Sequence, residues 1–183
     1  MTHDGQGAHD HGRPVGHDDL RAALAEFATG VVLLTVRDGR DDIGATVSAF
    51  CPVSLEPPLV LVAITSGSYL AEVLGRQDTF AVTILGEGQR MLAGRFAAAG
   101  RPSARRLLDE VPHTRGSRSG ALIADSGLGA IECAARQRVT AGDHLLVVAE
   151  AVNVPYAGDG AAPLIRFRGG YPALVPPRPG PPR

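Results

Sequence analysis

Tryptophan is absent from this 183-residue chain, and aromatic residues make up only 4% of it. Any core must therefore be aliphatic, drawn from the Val, Leu, Ile and Ala within an apolar share of 44%. An excess of one charge is also missing: the formal net charge is −1, which gives no basis for electrostatic capture of nucleic acid or of an anionic membrane. No apolar run approaches the roughly 20 residues that span a bilayer, and the polar N-terminus lacks the basic-then-apolar pattern of a signal peptide. Cysteine is scarce. Cys51 and Cys133 lie far apart, with no CxxC and no His/Cys pairing at zinc spacing, which leaves a reduced, cytoplasmic protein as the simplest expectation.

Several catalytic signatures are missing as well. The chain has no GxGxxG, no GxxxxGK[ST], no GxSxG and no HExxH. Glu132 stands alone, with no carboxylate partner in its own segment. A P-loop enzyme or an acid/base hydrolase has little support, and no metal site is expected. The histidines of the N-terminal stretch (His3, His9, His11 and His17) match no compact ligand motif.

What is present reads as one domain between two tails. At this length a chain buries a real core without disulfide or metal staples. Residues 1–17, rich in Gly, Asp and His, hold too little apolar surface to offset the entropy of ordering and read as a tail. Residues 175–183 are Pro-rich and cannot join a sheet ladder. The domain proper is 18–174. A short helix capped by Asp18 or Asp19 carries Leu20, Leu24 and Phe27 at helical spacing and ends at Gly30.

Strands follow at Val31–Val36, Ile43–Phe50, Leu59–Ile64 and Phe80–Leu85. Asp38-Gly39 marks a hairpin between the first two. Ser68–Arg76 reads as a helix with Ser68 as N-cap and Leu70, Val73 and Leu74 turned inward, and Gln89–Phe96 as a second. From Ala97 to Ser119 only Leu107, Leu108 and Val111 offer apolar anchors, so a long and partly mobile excursion is expected. Sheet resumes over Leu128–Val139, His144–Val154 and Pro163–Arg168, with the turn Ala141-Gly142-Asp143 between the first two. The predicted fold class is mainly β: an antiparallel, six- to seven-stranded, closed or nearly closed Greek-key barrel with a few short helices.

The segment richest in chemistry runs from Gly44 to Pro58 as GATVSAFCPVSLEPP. Thr46, Ser48 and Ser54 set small hydroxyls beside Gly and Ala before the chain turns at a double proline. Small side chains let a flat ring approach the backbone, whose N–H and C=O groups can read its polar edge, while hydroxyls suit phosphate or ribityl groups. The other reading is a strand end whose Ser and Thr satisfy their own turn.

This block, preceded by LAEFATGV from Leu24 to Val31, resembles the flavin reductase-like family of FMN-binding split barrels, which includes the reductase components of two-component flavin monooxygenases. The likeness continues through Phe80-Ala81-Val82, Arg95-Phe96-Ala97, Gly142-Asp143-His144 and Arg168-Gly169-Gly170-Tyr171, so that it covers residues 18–174 in the family's order. The resemblance implies reduction of free FMN or FAD by NADH or NADPH, a homodimer with flavin near the subunit interface, and a separate flavin-dependent monooxygenase as partner. Thr46, Val47 and Ser48 would border the isoalloxazine ring, with Ser48, Phe50 and Cys51 near the ribityl and phosphate. Ser68 would lie near the phosphate at a helix N-terminus. His144 resembles the family histidine on the nicotinamide side and is the catalytic candidate; as a plain turn residue it would cap the strand before Leu145.

Departures from the family pattern occur at Leu70 (in place of Thr), Thr83 (Asn), Leu145 (Thr), Ala149 (Gly) and Pro172 (a basic residue). They keep open an alternative: a split-barrel protein that binds flavin or another small hydrophobic ligand without turnover, or with a repurposed activity.

Overall fold

The computed structural model describes residues 14–158 and 160–174. The histidines at positions 3, 9 and 11 and the Pro-rich tail at 175–183 lie outside the described residues. Helix α1 (His17–Ala25) opens one residue inside the stretch read as tail, with Gly16 rather than Asp18 or Asp19 at its N-cap. The two aspartates sit in its first turn, where the helix dipole favours acidic groups. The helix ends at Ala25, well before Gly30, which instead lies in the short strand β1 (Thr29–Gly30).

The sheet grows from local hairpins. Strand β2 (Val32–Asp38) and β3 (Asp41–Val47) pair around Gly39-Arg40, and Gly39 takes the left-handed conformation that the turn requires. Strand β4 (Phe50–Leu55) pairs with β5 (Pro58–Thr65) across the Glu56-Pro57 turn. Ser54 Oγ donates to the Pro57 carbonyl there, so this hydroxyl satisfies its own turn. Sequence reading ran the second strand on to Phe50; in the structure β3 stops at Val47, because Ser48-Ala49 carries the chain to a new strand.

Helix α2 (Tyr69–Arg76) then leads to β6 (Thr79–Ile84), and a 3-10 turn at Glu87–Gln89 leads to α3 (Arg90–Ala97). The long strands β9 (Gly129–Ala141) and β10 (His144–Ala157) form a hairpin with Gly142-Asp143 at its tip. The order β3-β2-β6-β9-β10-β5-β4 makes one seven-stranded sheet in which every pairing is antiparallel. Its edge strands β3 and β4 are sequence neighbours, so the sheet curls until its edges meet at Ser48-Ala49. Ala63 N–H of β5 donates to the Ala49 carbonyl (2.9 Å) there, yet no ladder joins β3 to β4 among the described residues. The barrel is therefore split along this seam.

Alternation along the strands fills the interior. Val32, Leu34 and Val36, then Val60, Val62 and Ile64, with Phe80, Val82, Cys133 and Val147, form the main core. Helix α2 closes one end with Leu70, Ala71, Val73 and Leu74, as the inward positions of the sequence predicted. A second core lies outside β2 and β6, where α3 and α4 (Ala104–Leu107) pack Phe96, Ala104 and Leu108 against Leu33. Gly44 permits this approach: a Cβ there would stand 2.9 Å from the Phe96 ring and 3.0 Å from the Leu34 carbonyl.

The 97–119 excursion is therefore anchored to the barrel rather than loose. Besides Leu107 and Leu108, it is held by Arg105 (3.1 Å) and Arg115 (2.8 and 2.9 Å), whose guanidinium groups clasp the fully buried Asp42 carboxylate. Burial opposes ionisation of Asp42, but the hydrogen bonds from Arg115 and Arg105 outweigh it and hold the pKa below the usual aspartate value. The excursion ends in a small hairpin of β7 (His113–Arg115) and β8 (Leu122–Ala124), which the sequence reading did not resolve. Its loop is fixed by the buried Glu132. One carboxylate oxygen accepts from the amides of Arg118 and Ser119 and from Ser119 Oγ, and the other accepts from Asn153 Nδ2 (2.6 Å).

Candidate functional site

The seam at Ser48-Ala49 is where the fold leaves its interior open to small molecules. Ala45, Val47 and Ile43 point into the main core, while Gly44 and Thr46 face α3 and α4. Thr46 Oγ1 donates to the Ala93 carbonyl (2.6 Å), which ties β3 to α3 and leaves the hydroxyl oxygen able to accept. Val47 buries its side chain, so its part in any site falls to its main chain. Ser48 and Ala49 are exposed.

A cavity of about 300 Å³ opens on one side of Ser48, lined by Thr46, Val47, Ser48, Ser68, Arg101 and His144 among others. Antiparallel pairing of β5 with β10 sets His144 opposite Thr65, and Ser66 N–H donates to the Asp143 carbonyl (2.8 Å), which draws the loop before α2 to the β9–β10 turn. Ser68 caps α2 by accepting from Ala71 N–H (3.2 Å). The first-turn amides of a helix have no intrahelical acceptor, and with the helix dipole they favour an anion. His144 Nδ1 lies 2.7 Å from Asp143 Oδ1. An ionised carboxylate can only accept, so Nδ1 carries the proton and Nε2 is left for other contacts. The hydrogen bond from His144 holds the Asp143 carboxyl below the usual aspartate pKa.

A larger groove of about 790 Å³ lies on the other side of Ser48, between α1 and β4. Phe50 and Cys51 line it with Leu24, Phe27 and Arg166. Thus the structure brings Thr46, Val47, Ser48, Ser68 and His144 to one cavity, places Phe50 and Cys51 in the adjoining groove, and makes Ser48 and Ala49 common to both. Sequence reasoning missed Arg101, which sits in the excursion read as loose and belongs to no motif. It also missed that the apolar side of α1 is uncovered: Leu24, and Phe27 just beyond the helix, are largely exposed.

The arrangement suits a planar ligand better than acid/base chemistry. Small side chains and main-chain groups border the cavity, and hydroxyls, amides and a guanidinium line one wall. The two carboxylates buried within the sheet are both committed, Asp42 to Arg105 and Arg115, and Glu132 to Arg118 and Ser119 of the 116–121 loop and to Asn153. Burial opposes ionisation of Glu132, yet the hydrogen bonds from Asn153, Ser119 and Arg118 outweigh that cost and depress its pKa. Cys133 is buried and its thiol is pushed up to about 12, so it is inert. Among the described residues no three His, Cys, Asp or Glu side chains converge as a metal site would require, and no helix is long and apolar enough to cross a membrane.

Comparison with known proteins agrees with this geometry. The family model described as "Flavin reductase like domain" matches residues 24–174. The NADH-dependent FMN reductase AsuE2 of Streptomyces nodosus subsp. asukaensis is 33% identical over 168 residues, covering 92% of this chain and 90% of that protein. The reductase component of 4-hydroxyphenylacetate 3-monooxygenase from Thermus thermophilus is 36% identical over 156 residues, covering 85% and 95%. Among solved structures, the NADH:FAD oxidoreductase SgcE6 of Streptomyces globisporus, in complex with NAD and FAD fragments, superposes with a TM-score of 0.81 at 28% identity, covering 91% of this chain and 99% of that one.

Proposed function

Because this chain belongs to the flavin reductase-like family, we propose that it transfers hydride from NADH to a flavin held at the Ser48 seam, and that the reduced flavin passes to a separate monooxygenase. The observation that carries this reading is the open seam. The small-residue wall around Ser48 is bordered by cavities on both sides, and no side chain of the described residues plugs it.

A bound flavin would supply the electronic chemistry, accepting hydride at N5 from the nicotinamide C4. The chain's own task is to bind, orient and exclude water. Main-chain groups of Thr46 to Ser48 would read the edge of the ring, and the absence of bulk at Ala45, Ala49 and Ala63 would let it lie close to the backbone. Ser68 and the first turn of α2 would receive the phosphate. His144, held by Asp143, would project Nε2 toward the nicotinamide side. Phe50 and Cys51 face the adjoining groove, so their role would be to wall the ring side of Ser48 rather than to reach the anion at Ser68. No strong base is required, which accounts for the missing catalytic pairs.

The reading includes a homodimer. The outward residues Leu61 of β5 and Val148 of β10, opposite each other, are only half-covered; Leu61 shares a groove with the exposed Leu24 and Phe27, and β4 beside β5 adds the exposed Val53 and Leu55. A continuous apolar surface of this kind marks an interaction site. A second copy would cover it and complete the groove beside Ser48.

The test mixes the purified protein with NADH and either FMN or FAD and follows absorbance at the nicotinamide band. Oxidation that depends on flavin is expected, and Ser48→Trp should lose flavin binding while its circular dichroism stays native. Flavin retention without NADH oxidation would replace the reductase with a carrier. Absence of both would end the flavin reading.

A further inference from the structure

Several arginines on this barrel have a carboxylate partner. Arg76, Arg105, Arg115, Arg136, Arg138 and Arg168 each pair with an Asp or Glu. Arg101 is half-buried and pairs with none among the described residues. Its Nε donates to the Gly44 carbonyl (2.8 Å) and Nη1 to the Ala98 carbonyl (3.3 Å), two bonds that fix the stem and leave Nη2 without a partner among the described residues. Burial pulls its pKa down, which is the cost of holding a cation away from water with no counter-ion. Such a group is stabilised by an anion that arrives from outside.

Its position says which anion. Arg101 lines the 300 Å³ cavity beside Ser48 and also a second cavity of about 560 Å³, and the two share Ser68, Leu70 and Arg101 as walls. The second cavity alone adds the exposed Asp41 carboxylate, the half-exposed Tyr69 ring and the Ser103 hydroxyl. Asp41 Oδ1 accepts from Asp42 N–H, and Oδ2 remains free for a diol. A flavin mononucleotide would end at Ser68 and leave this second cavity without a ligand group. Volumes of this size are ordinary for small-molecule sites.

We propose that the cavity between Asp41 and Arg101 seats the adenosine diphosphate portion of a dinucleotide, with the Arg101 guanidinium against its pyrophosphate and Asp41 accepting from its ribose. This assignment rests on the flavin reading of the adjoining cavity. Two dinucleotides in the reaction carry that portion, FAD and NADH. If FAD supplies it, the protein prefers FAD to FMN; if NADH supplies it, the cavity holds the donor's far end.

The experiment measures dissociation constants for riboflavin, FMN and FAD by flavin fluorescence, and KM for NADH and for reduced nicotinamide mononucleotide, on the full chain. The same measurements follow on Arg101→Gln, Arg101→Lys and Asp41→Ala. The FAD source predicts FAD binding at least about tenfold tighter than FMN, a preference lost in Arg101→Gln and Asp41→Ala and partly kept in Arg101→Lys, with riboflavin affinity unchanged throughout. The NADH source predicts equal FMN and FAD affinity, with KM rising in the same variants for NADH but not for the mononucleotide. If neither dinucleotide is preferred over its mononucleotide, or if the preference survives Arg101→Gln, the assignment is overturned. Riboflavin binding separates that failure from failure of the flavin reading, because loss of riboflavin as well would remove both. Urea unfolding of each variant shows whether a changed affinity reflects a lost fold.

Discussion

The two halves of the barrel are built to different standards. Strands β2 and β6 are buried on both faces: Leu34 and Val82 look into the main core, while Leu33 lies under α3 and α4, and Ala81 lies beneath Ala121 and Ile123. Strands β5 and β10 are buried on one face only, so Val62 and Val147 are inaccessible while their neighbours Leu61 and Val148 are half-covered. The seam at Ser48 lies where β3, at the edge of the first half, meets β4, at the edge of the second. The difference teaches where function can reside. A strand covered on both faces is scaffold, because every surface it offers is already packed at crystal-like density. A strand covered on one face has surface left for a ligand or a second copy, and the groups that keep hydrogen-bonding capacity among the described residues (the Ser48 hydroxyl, the Ser68 hydroxyl as a donor, the Nη2 of Arg101 and the Nε2 of His144) lie along the boundary.

The comparison breaks most visibly if the covered half tolerates damage. Phe96→Ala removes a fully buried ring from between α3 and Gly44 and should cost about 3–5 kcal/mol in urea unfolding. A loss under about 1 kcal/mol would mean that the outer layer is dispensable and the two halves are not distinct. The next effect is electrostatic. Glu132→Gln presents an amide N–H₂ to one of two sets of donors, so at least one buried donor loses its acceptor, at about 2 kcal/mol at neutral pH. Its sign with pH follows from the depressed pKa. The unfolded chain binds the proton near the ordinary value of 4.5 while the folded chain resists it, so the stabilisation is present above that value and is lost as pH falls through the folded pKa. The native protein should therefore lose stability on acidification from pH 6 to pH 3.5 more steeply than Glu132→Gln. Parallel pH profiles for the two proteins would show that this carboxylate carries no such linkage.

The same division decides what could be read from the sequence. Strands such as Val31–Val36 and Leu59–Ile64 were legible because β-branched and aliphatic runs favour pleated structure, while the Asp38-Gly39 and Gly142-Asp143 turns marked the β2–β3 and β9–β10 hairpins. The residues gathered at the 300 Å³ cavity, Thr46 to Ser48 with Ser68 and His144, were legible through family motifs and small hydroxyl side chains. Arg101 was not, because nothing local tells a cation tied to a distant Gly44 carbonyl from one in solvent. The excursion around it was read as loose because its anchors are long-range: Asp42 lies 63 positions from Arg105 and 73 from Arg115. Likewise helical spacing set Leu20, Leu24 and Phe27 on one face, but α1 ends at Ala25 before Phe27, and spacing alone does not show that the face of Leu20 and Leu24 stays open.

At the seam the expected change falls on rate rather than on folding. His144 opens β10 at the protein surface and its side chain bonds its neighbour Asp143 among the described residues, so His144→Ala should leave the unfolding midpoint in place and flavin affinity within about twofold. Turnover with NADH should fall about tenfold, the equivalent of one lost contact of roughly 1.4 kcal/mol in the transition state. Equal turnover would remove His144 from the site and leave it as a turn residue.

The smallest change in stability should come from the outward face of the half-covered side, and it sharpens the comparison most. Leu55 ends β4 with 95% of its surface exposed, so it contributes almost nothing to the fold of one chain. Leu55→Ser should shift the stability of an isolated chain by less than about 0.5 kcal/mol. If this face is where two copies meet, the same substitution leaves a polar group in a dry contact and weakens association, at about 1–3 kcal/mol for each such group. Sedimentation of the native protein and of Leu55→Ser across a concentration series separates the two costs. A dimer that dissociates at higher concentration in the variant, with an unchanged circular dichroism spectrum, places Leu55 in the contact. A native protein that remains a single chain at every concentration removes the homodimer from the proposed reading.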